Sequence, residues 1–224
     1  MTKALDFTSG YASRRPPMMG RNAVATSQPL AAQAGMKMLQ LGGNAVDAAI
    51  AAAMALTVVE PTGNGIGSDA FAIVWDGEKL HGLNASGRSP ASWHADLFAG
   101  KTAVPEIGWD AVTVPGAVSG WVALAERFGT LPLTTLAQPA IDYARNGFPV
   151  SPLIGHLWQR GYSKLKDQPG FSACFAPEGR APRVGEIFRN PAQANSLELI
   201  ARTNGEAFYR GELAQKIAAF AKEH

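Results

Sequence analysis

Cysteine is all but missing from this chain: Cys174 is the single one in 224 residues. One thiol builds no internal disulfide framework and cannot by itself supply a zinc site. Histidine is sparse as well, and His81, His94, His156 and His224 stand far apart with no pair at metal-ligand spacing. Charge of one sign is also lacking, with Lys+Arg 20 against Asp+Glu 18 and no basic run longer than Arg14-Arg15. Nucleic acid and an anionic membrane are therefore not expected partners. The longest apolar stretch, Ala48 to Val59, covers twelve residues, against roughly 20 for a bilayer span. Met1–Phe7 has no apolar run of the kind that opens a signal peptide. A soluble, cytoplasmic chain is expected.

What is present is ordinary globular material, 46% hydrophobic and 17% charged, enough to bury one sizeable core. Residues 1–22, with Arg14-Arg15-Pro16-Pro17, read as an extended lead-in, and 23–224 as the folded unit. Ala23–Thr26 suggests a short buried strand. Pro29 suits the first turn of a helix, and Leu30, Ala34, Met38 and Leu41 recur at helical spacing until Gly42-Gly43 stops it. Asn44 is a good N-cap for a second helix, Ala45 to about Val58, apolar nearly all round and rich in alanine. The two should pack as a hairpin.

A glycine-rich turn, Pro61–Asp69, precedes a β-hairpin with strands Phe71–Trp75 and Lys79–Asn84 about the Asp76-Gly77 turn. Helices follow Pro115-Gly116 up to Gly129 and span Thr134–Asn146, the latter with a threonine hydroxyl as its cap. Ser151–Arg189 reads as loops and short turns. Helices at about Pro191–Thr203 and Glu212–Lys222 close the chain. The pattern is mixed α/β (α+β), rich in helix and short of strands for a complete sheet.

Few residues suggest chemistry by themselves. Gly63, Gly65 and Gly67 alternate, but Ser68 replaces the third glycine of a dinucleotide fingerprint, and the order helix–loop–strand is the reverse of a phosphate loop. Anion binding and close backbone approach both remain open for this turn, the second better founded. Ser119, in Gly116-Ala117-Val118-Ser119-Gly120, lacks the order of a nucleophile elbow and reads as a small residue packed between helices. Arg88, between Gly87 and Ser89-Pro90 just past the hairpin, is the candidate binding residue, because a loop there can offer a planar guanidinium to a carboxylate.

Larger blocks carry a resemblance. Ala25-Thr26-Ser27-Gln28-Pro29-Leu30-Ala31, Gly42-Gly43-Asn44-Ala45-Val46-Asp47-Ala48-Ala49 and Glu60-Pro61-Thr62-Gly63-Asn64-Gly65-Ile66-Gly67 resemble the opening of the γ-glutamyltransferase family. Val114–Trp121, Pro139-Ala140-Ile141 with Gly147-Phe148, and Gly205–Gly211 continue it in the family's order. The resemblance implies an αββα sandwich of the N-terminal nucleophile hydrolases, with 23–224 as the N-terminal portion of the large subunit. It implies a self-cleaving precursor whose new N-terminal threonine attacks a γ-glutamyl amide, such as that of glutathione, with its own amine as base and no metal or organic cofactor. The small subunit that brings this threonine would be the protein partner.

Two departures matter. The family's Thr-Thr-His-x-x-Val nucleophile motif does not occur, since Thr134-Thr135 is followed by Leu136. No catalytic residue is thus expected in this chain, and alone it should be inactive. The family's carboxylate-binding arginine, in Arg-Glu-x-Ala-Pro, falls at Ser86 when aligned on Pro90, leaving Arg88 two residues later. A glutaryl or cephalosporin-acylase type of amidase from the same family is the nearest alternative. A non-catalytic scaffold is the third.

Overall fold

Pro29 and the Gly42-Gly43 pair bound the first helix as their backbone chemistry requires. In the computed structural model, which describes residues 19–224, α1 runs Pro29–Gln40, and the Gln28 side chain caps it by accepting from Leu30 N and Ala31 N. Gly42 takes φ +86° in the turn that follows. Helix α2, Ala45–Val59, starts under a full capping box. Asn44 Oδ1 accepts from Val46 N and Asp47 N, and the Asp47 carboxylate accepts from Asn44 N.

Ten of the fifteen α2 residues are buried, which makes this helix the centre of the fold. Helices α1, α3 (Ala117–Phe128) and α4 (Leu133–Asn146) all pack on it. Its alanines admit that crowding because they present no side chain beyond Cβ. Ala51 and Ala55 are sealed, whereas Ala45 and Ala49 are exposed and Ala53 is half-buried along one open stripe.

The buried Asp47 does more than cap. Its two oxygens also accept from Thr130 N (3.1 and 3.2 Å), Leu131 N (3.3 Å) and the Thr130 hydroxyl (2.5 Å). Asn44 Nδ2 donates to Phe128 O at 2.6 Å, satisfying a carbonyl at the end of α3. The α1–α2 turn is thereby pinned to the α3–α4 turn.

Strands β1 (Ala70–Trp75) and β2 (Leu80–Ala85) pair antiparallel, with Ala70 opposite Ala85 and Trp75 opposite Leu80. A second two-stranded pair joins β3 (Phe148–Pro149) to β4 (Ile187–Phe188). Helices α5 (Pro152–Leu165), α6 (Phe171–Phe175), α7 (Pro191–Arg202), α8 (Glu206–Tyr209) and α9 (Glu212–Glu223) complete the chain. The fold is α+β, with sheet contributed by the two short pairs among the described residues.

Several expectations change. Of the 1–22 lead-in, residues 19–22 form an exposed irregular stretch, and the rest lies outside the described residues. Ala23–Thr26 is not a strand: no neighbour among the described residues takes up its ladder bonds, and Val24 packs on Gly35 of α1 instead. Helix α4 has Pro132 at its N-cap and no side-chain cap, because it starts at Leu133 and so places Thr134 and Thr135 inside its first turn rather than at the cap. The region Ser151–Arg189 holds the fourteen-residue α5, started by Pro152 and carrying Ile154, Leu157, Trp158 and Leu165 at helical spacing. Trp158 is its anchor, packed edge-on to Phe188 and donating from Nε1 to Phe175 O at 2.9 Å.

Two outcomes test this core. Asp47→Asn turns an acceptor that faces four donors into one carrying its own N–H pair, so unfolding by urea should show a loss of about 2–4 kcal/mol; an unchanged midpoint would remove the clamp from the account. Ala55→Leu should overpack and cost about 1–3 kcal/mol, whereas Ala53→Leu, on the open stripe of this chain, should cost less than half as much.

Candidate functional site

The segment that leaves β2 makes an unusually tight crossing. Gly87 sits at φ +81°, and a Cβ there would overlap the Val114 carbonyl oxygen. A Cβ on Gly116 would likewise overlap Ala85 O. Glycine at both positions therefore lets residues 85–88 and 114–116 lie backbone against backbone. Arg88 O accepts from Val114 N at 2.9 Å and closes the neck of the long excursion between them. Within that excursion the regular structure among the described residues is limited to two single 3₁₀ turns, Ala95–Phe98 and Trp109–Ala111.

A cleft of about 560 Å³ opens at this neck. Its polar lining comes from Asn84 and Ser86 at the end of β2, Arg88, Ser119 on α3 and Tyr209 on α8. Arg88 is exposed and forms no ion pair with a carboxylate among the described residues. The site can thus offer a fixed loop with an uncommitted guanidinium, a group suited to two-point binding of a carboxylate. Ser86, at the position of the family's arginine, spends its polar groups locally: its N–H donates to Asn84 Oδ1 (2.9 Å) and its hydroxyl to Gly87 O (3.3 Å).

Ser119 differs from expectation. It is exposed at the cleft rather than packed between helices, with Oγ donating to Gly116 O at 2.7 Å and its N–H to the Tyr209 hydroxyl at 3.0 Å. Tyr209 was not apparent as a site residue; the Gly205–Gly211 block that contains it gave no hint of where the hydroxyl goes. The glycine-rich turn also departs from expectation. Gly63 and Gly67 have nothing within 4 Å of an added Cβ, so no close approach requires them here. Its last carbonyl, Ser68 O, accepts from Gly116 N (3.1 Å) and Ala117 N (2.9 Å) and so seats the start of α3.

The histidines fall in different places. His81 is held from both sides, its Nε2 at 2.5 Å from Asp76 Oδ2 and its Nδ1 at 3.0 Å from Arg127 Nη2, with its ring against Phe128. Arginine only donates, so Nδ1 accepts and Nε2 carries the proton. With both nitrogens occupied, His81 has no position left for a nucleophile. His94 and His156 are exposed, and no group of three metal-ligating side chains occurs among the described residues. No helix among them is long and apolar enough to cross a membrane.

Comparison with known proteins agrees with this topology. The sequence profile of the gamma-glutamyltranspeptidase family matches residues 31–224. The chain is 40% identical over 210 residues to the glutathione hydrolase-like YwrD proenzyme of Bacillus subtilis (strain 168), covering 90% of this chain and 40% of that protein. It is 35% identical over 214 residues to glutathione hydrolase proenzyme 1 of Schizosaccharomyces pombe, covering 94% and 34%. Among solved structures, cephalosporin acylase from Bacillus halodurans superposes with a TM-score of 0.85 at 51% identity, over 94% of this chain and 42% of that one. The γ-glutamyltranspeptidase of Helicobacter pylori superposes at 0.88 with 28% identity, over 93% and 62%. The chain thus spans about two fifths or less of the curated relatives it matches.

The hairpin turn, at the far end of β1 and β2 from the cleft, carries a pH signature. The Asp76 carboxyl is held well below the usual carboxylate range, chiefly by the Lys79 N–H and then by His81 and the Glu78 N–H. A pKa depressed in the folded state contributes stability above the unfolded value, about 3.9, and loses it as the pH falls. The gap in heat-unfolding midpoint between the parent chain and Asp76→Asn should be full near pH 6 and narrow steadily as the pH falls below about 4. A gap of equal size at both ends would show that the charge of Asp76 does not hold the turn.

Proposed function

From the premise that this chain belongs to the gamma-glutamyltranspeptidase family, we propose that it is the N-terminal part of the large subunit of an amidase acting on γ-glutamyl amides of the glutathione type. Arg88 holds the terminal carboxylate of the acyl group in this reading. The observation that carries it is an uncommitted guanidinium on a backbone fixed at the neck of the cleft. The attacking threonine comes from the small subunit of the same precursor, and its α-amine takes the hydroxyl proton and hands it to the departing amine as the amide C–N bond breaks. The acyl-enzyme so formed is released by water or by an acceptor amine. The part played by this chain is to seat the acyl group and to form one wall of the site, so by itself it is inactive.

Support for a subunit partner lies in the hairpin. Phe71, Ile73, Trp75 and Leu80 are each more than 60% exposed. Beside them Ala45, Ala49, Leu124 and Phe128 complete an apolar trough of about 680 Å³. A two-stranded sheet is marginal in water without a further wall. The small subunit supplies that wall in this proposal, and the proenzyme names of the Bacillus subtilis and Schizosaccharomyces pombe relatives accord with it.

The 51% identity to a cephalosporin acylase favours a second reading, with a glutaryl group in place of γ-glutamyl. Both acyl groups end in a carboxylate three carbons from the amide carbonyl, so Arg88 serves either one; the α-amine alone separates them. In the processed, complete enzyme, Arg88→Ala should lower kcat/KM on γ-glutamyl and glutaryl 4-nitroanilides alike, by roughly 30-fold or more. Arg88→Lys should restore only part of it, since the planar fork is lost. Butanoyl 4-nitroanilide, which has no carboxylate, should be unaffected, and self-cleavage should proceed. An equal loss on all three substrates would make Arg88 structural. The ratio of γ-glutamyl to glutaryl turnover in the unaltered enzyme decides between the two readings.

A further inference from the structure

We infer that Tyr209 is a positioning residue for Arg88, acting through the backbone of residues 114–119. This inference rests on the carboxylate-binding role proposed for Arg88. The Tyr209 hydroxyl donates to Pro115 O at 2.8 Å and accepts from Ser119 N at 3.0 Å. It thus joins the loop just before α3 to the first turn of that helix. Its proton is committed to Pro115 and a lone pair to Ser119, so it acts on the protein rather than on the substrate.

The adjoining residue completes the link. Val114 N donates to Arg88 O at 2.9 Å, so the segment that Tyr209 holds is the segment that fixes the Arg88 backbone. Ser68 O clamps the same segment from the other side through Gly116 N and Ala117 N. Residues 114–119 are therefore held at three places, and Tyr209 is the only side chain outside the segment that does so among the described residues. Gly205, at φ +81°, starts α8 against Val118 and Val122 of α3, and the buried Phe208 anchors the helix beside Tyr209. The phenol thus projects from a seated element. Removing its oxygen leaves Pro115 O and Ser119 N without this partner and frees the Val114–Pro115 segment to shift under Arg88.

The test is Tyr209→Phe in the processed, complete enzyme, alone and combined with Arg88→Ala, assayed on γ-glutamyl, glutaryl and butanoyl 4-nitroanilides. The ring is kept, so its packing is kept, and the heat-unfolding midpoint is recorded alongside. The expected result is a loss of about 3- to 10-fold in kcat/KM, less than the worth of the two hydrogen bonds removed because only the positioning of Arg88 is read. It should appear as a higher KM at unchanged kcat, on the two carboxylate-bearing substrates only. In the Arg88→Ala background the substitution should cost nothing further. An equal loss on butanoyl 4-nitroanilide, full additivity with Arg88→Ala, or no loss would each overturn the inference. If Arg88→Ala alone spares the carboxylate-bearing substrates, the parent reading fails and this one with it. If Arg88→Ala impairs them and Tyr209→Phe does not, only the role of Tyr209 falls.

Discussion

One buried carboxylate sets the frame on which the rest of this chain is hung. Asp47 lies in the first turn of α2, where an acid already suits the helix N-terminus. Its oxygens reach across to the turn between α3 and α4, collecting Thr130 and Leu131 amides and a hydroxyl besides its own capping bond. Gly43 and Gly129 pass so near that an added Cβ would sit about 3 Å from its oxygens. Two turns more than eighty residues apart in sequence therefore meet on a single group. With α3 held at its C-terminal end by Asn44 and at its N-terminal end by Ser68 and Tyr209, the helix has little freedom to slide. The cleft beside its first turn inherits that rigidity.

The local elements were legible because their signals are local. Pro29, Gly42-Gly43, Asn44, Asp76-Gly77 and Gly129 mark boundaries through their own backbone preferences, and the observed α1, α2, α3 and the hairpin begin and end within a residue or so of them. Helix α5 contains Gly155 and Gly161, which weaken its local helical signal. The structure needs Gly155 for the close approach of Val184 and leaves Gly161 in open space. The threonine cap failed for α4 because the helix starts ahead of Thr134, at Leu133, and leaves Pro132, which has no side-chain acceptor, at the cap. Ala23–Thr26 has strand-like residues, but a strand exists only by pairing, and pairing is not written in four residues.

The site divides in the same way. Arg88 could be singled out from its setting past a hairpin and before a proline, and its backbone is indeed fixed at the cleft. Tyr209 could not, because its two partners lie about ninety residues upstream and are backbone atoms. Asp47 escaped notice for a related reason: an aspartate one turn into a helix looks like an ordinary charge on a solvated face. Its burial depends on α3 and α4, which no window around residue 47 contains.

The displacement of the arginine by two positions has a physical consequence. Where the family's motif has arginine, this chain has Ser86, whose N–H and hydroxyl are both satisfied within the turn by Asn84 and Gly87. Any charge-assisted recognition at this cleft must therefore come from Arg88, the one guanidinium among its lining residues. Arg88 stands beyond Gly87, whose positive φ turns the chain, and directly on the Val114 hydrogen bond that closes the excursion. An arginine at 86 would belong to the end of a strand, whereas one at 88 belongs to the crossing of two backbones. Its precision then depends on what holds the second backbone, namely Ser68 and Tyr209. In this chain Arg88 is tied through Val114 to the segment that Ser68 and Tyr209 hold at the start of α3. The backbone position of Arg88 is accordingly tied to how firmly α3 is seated.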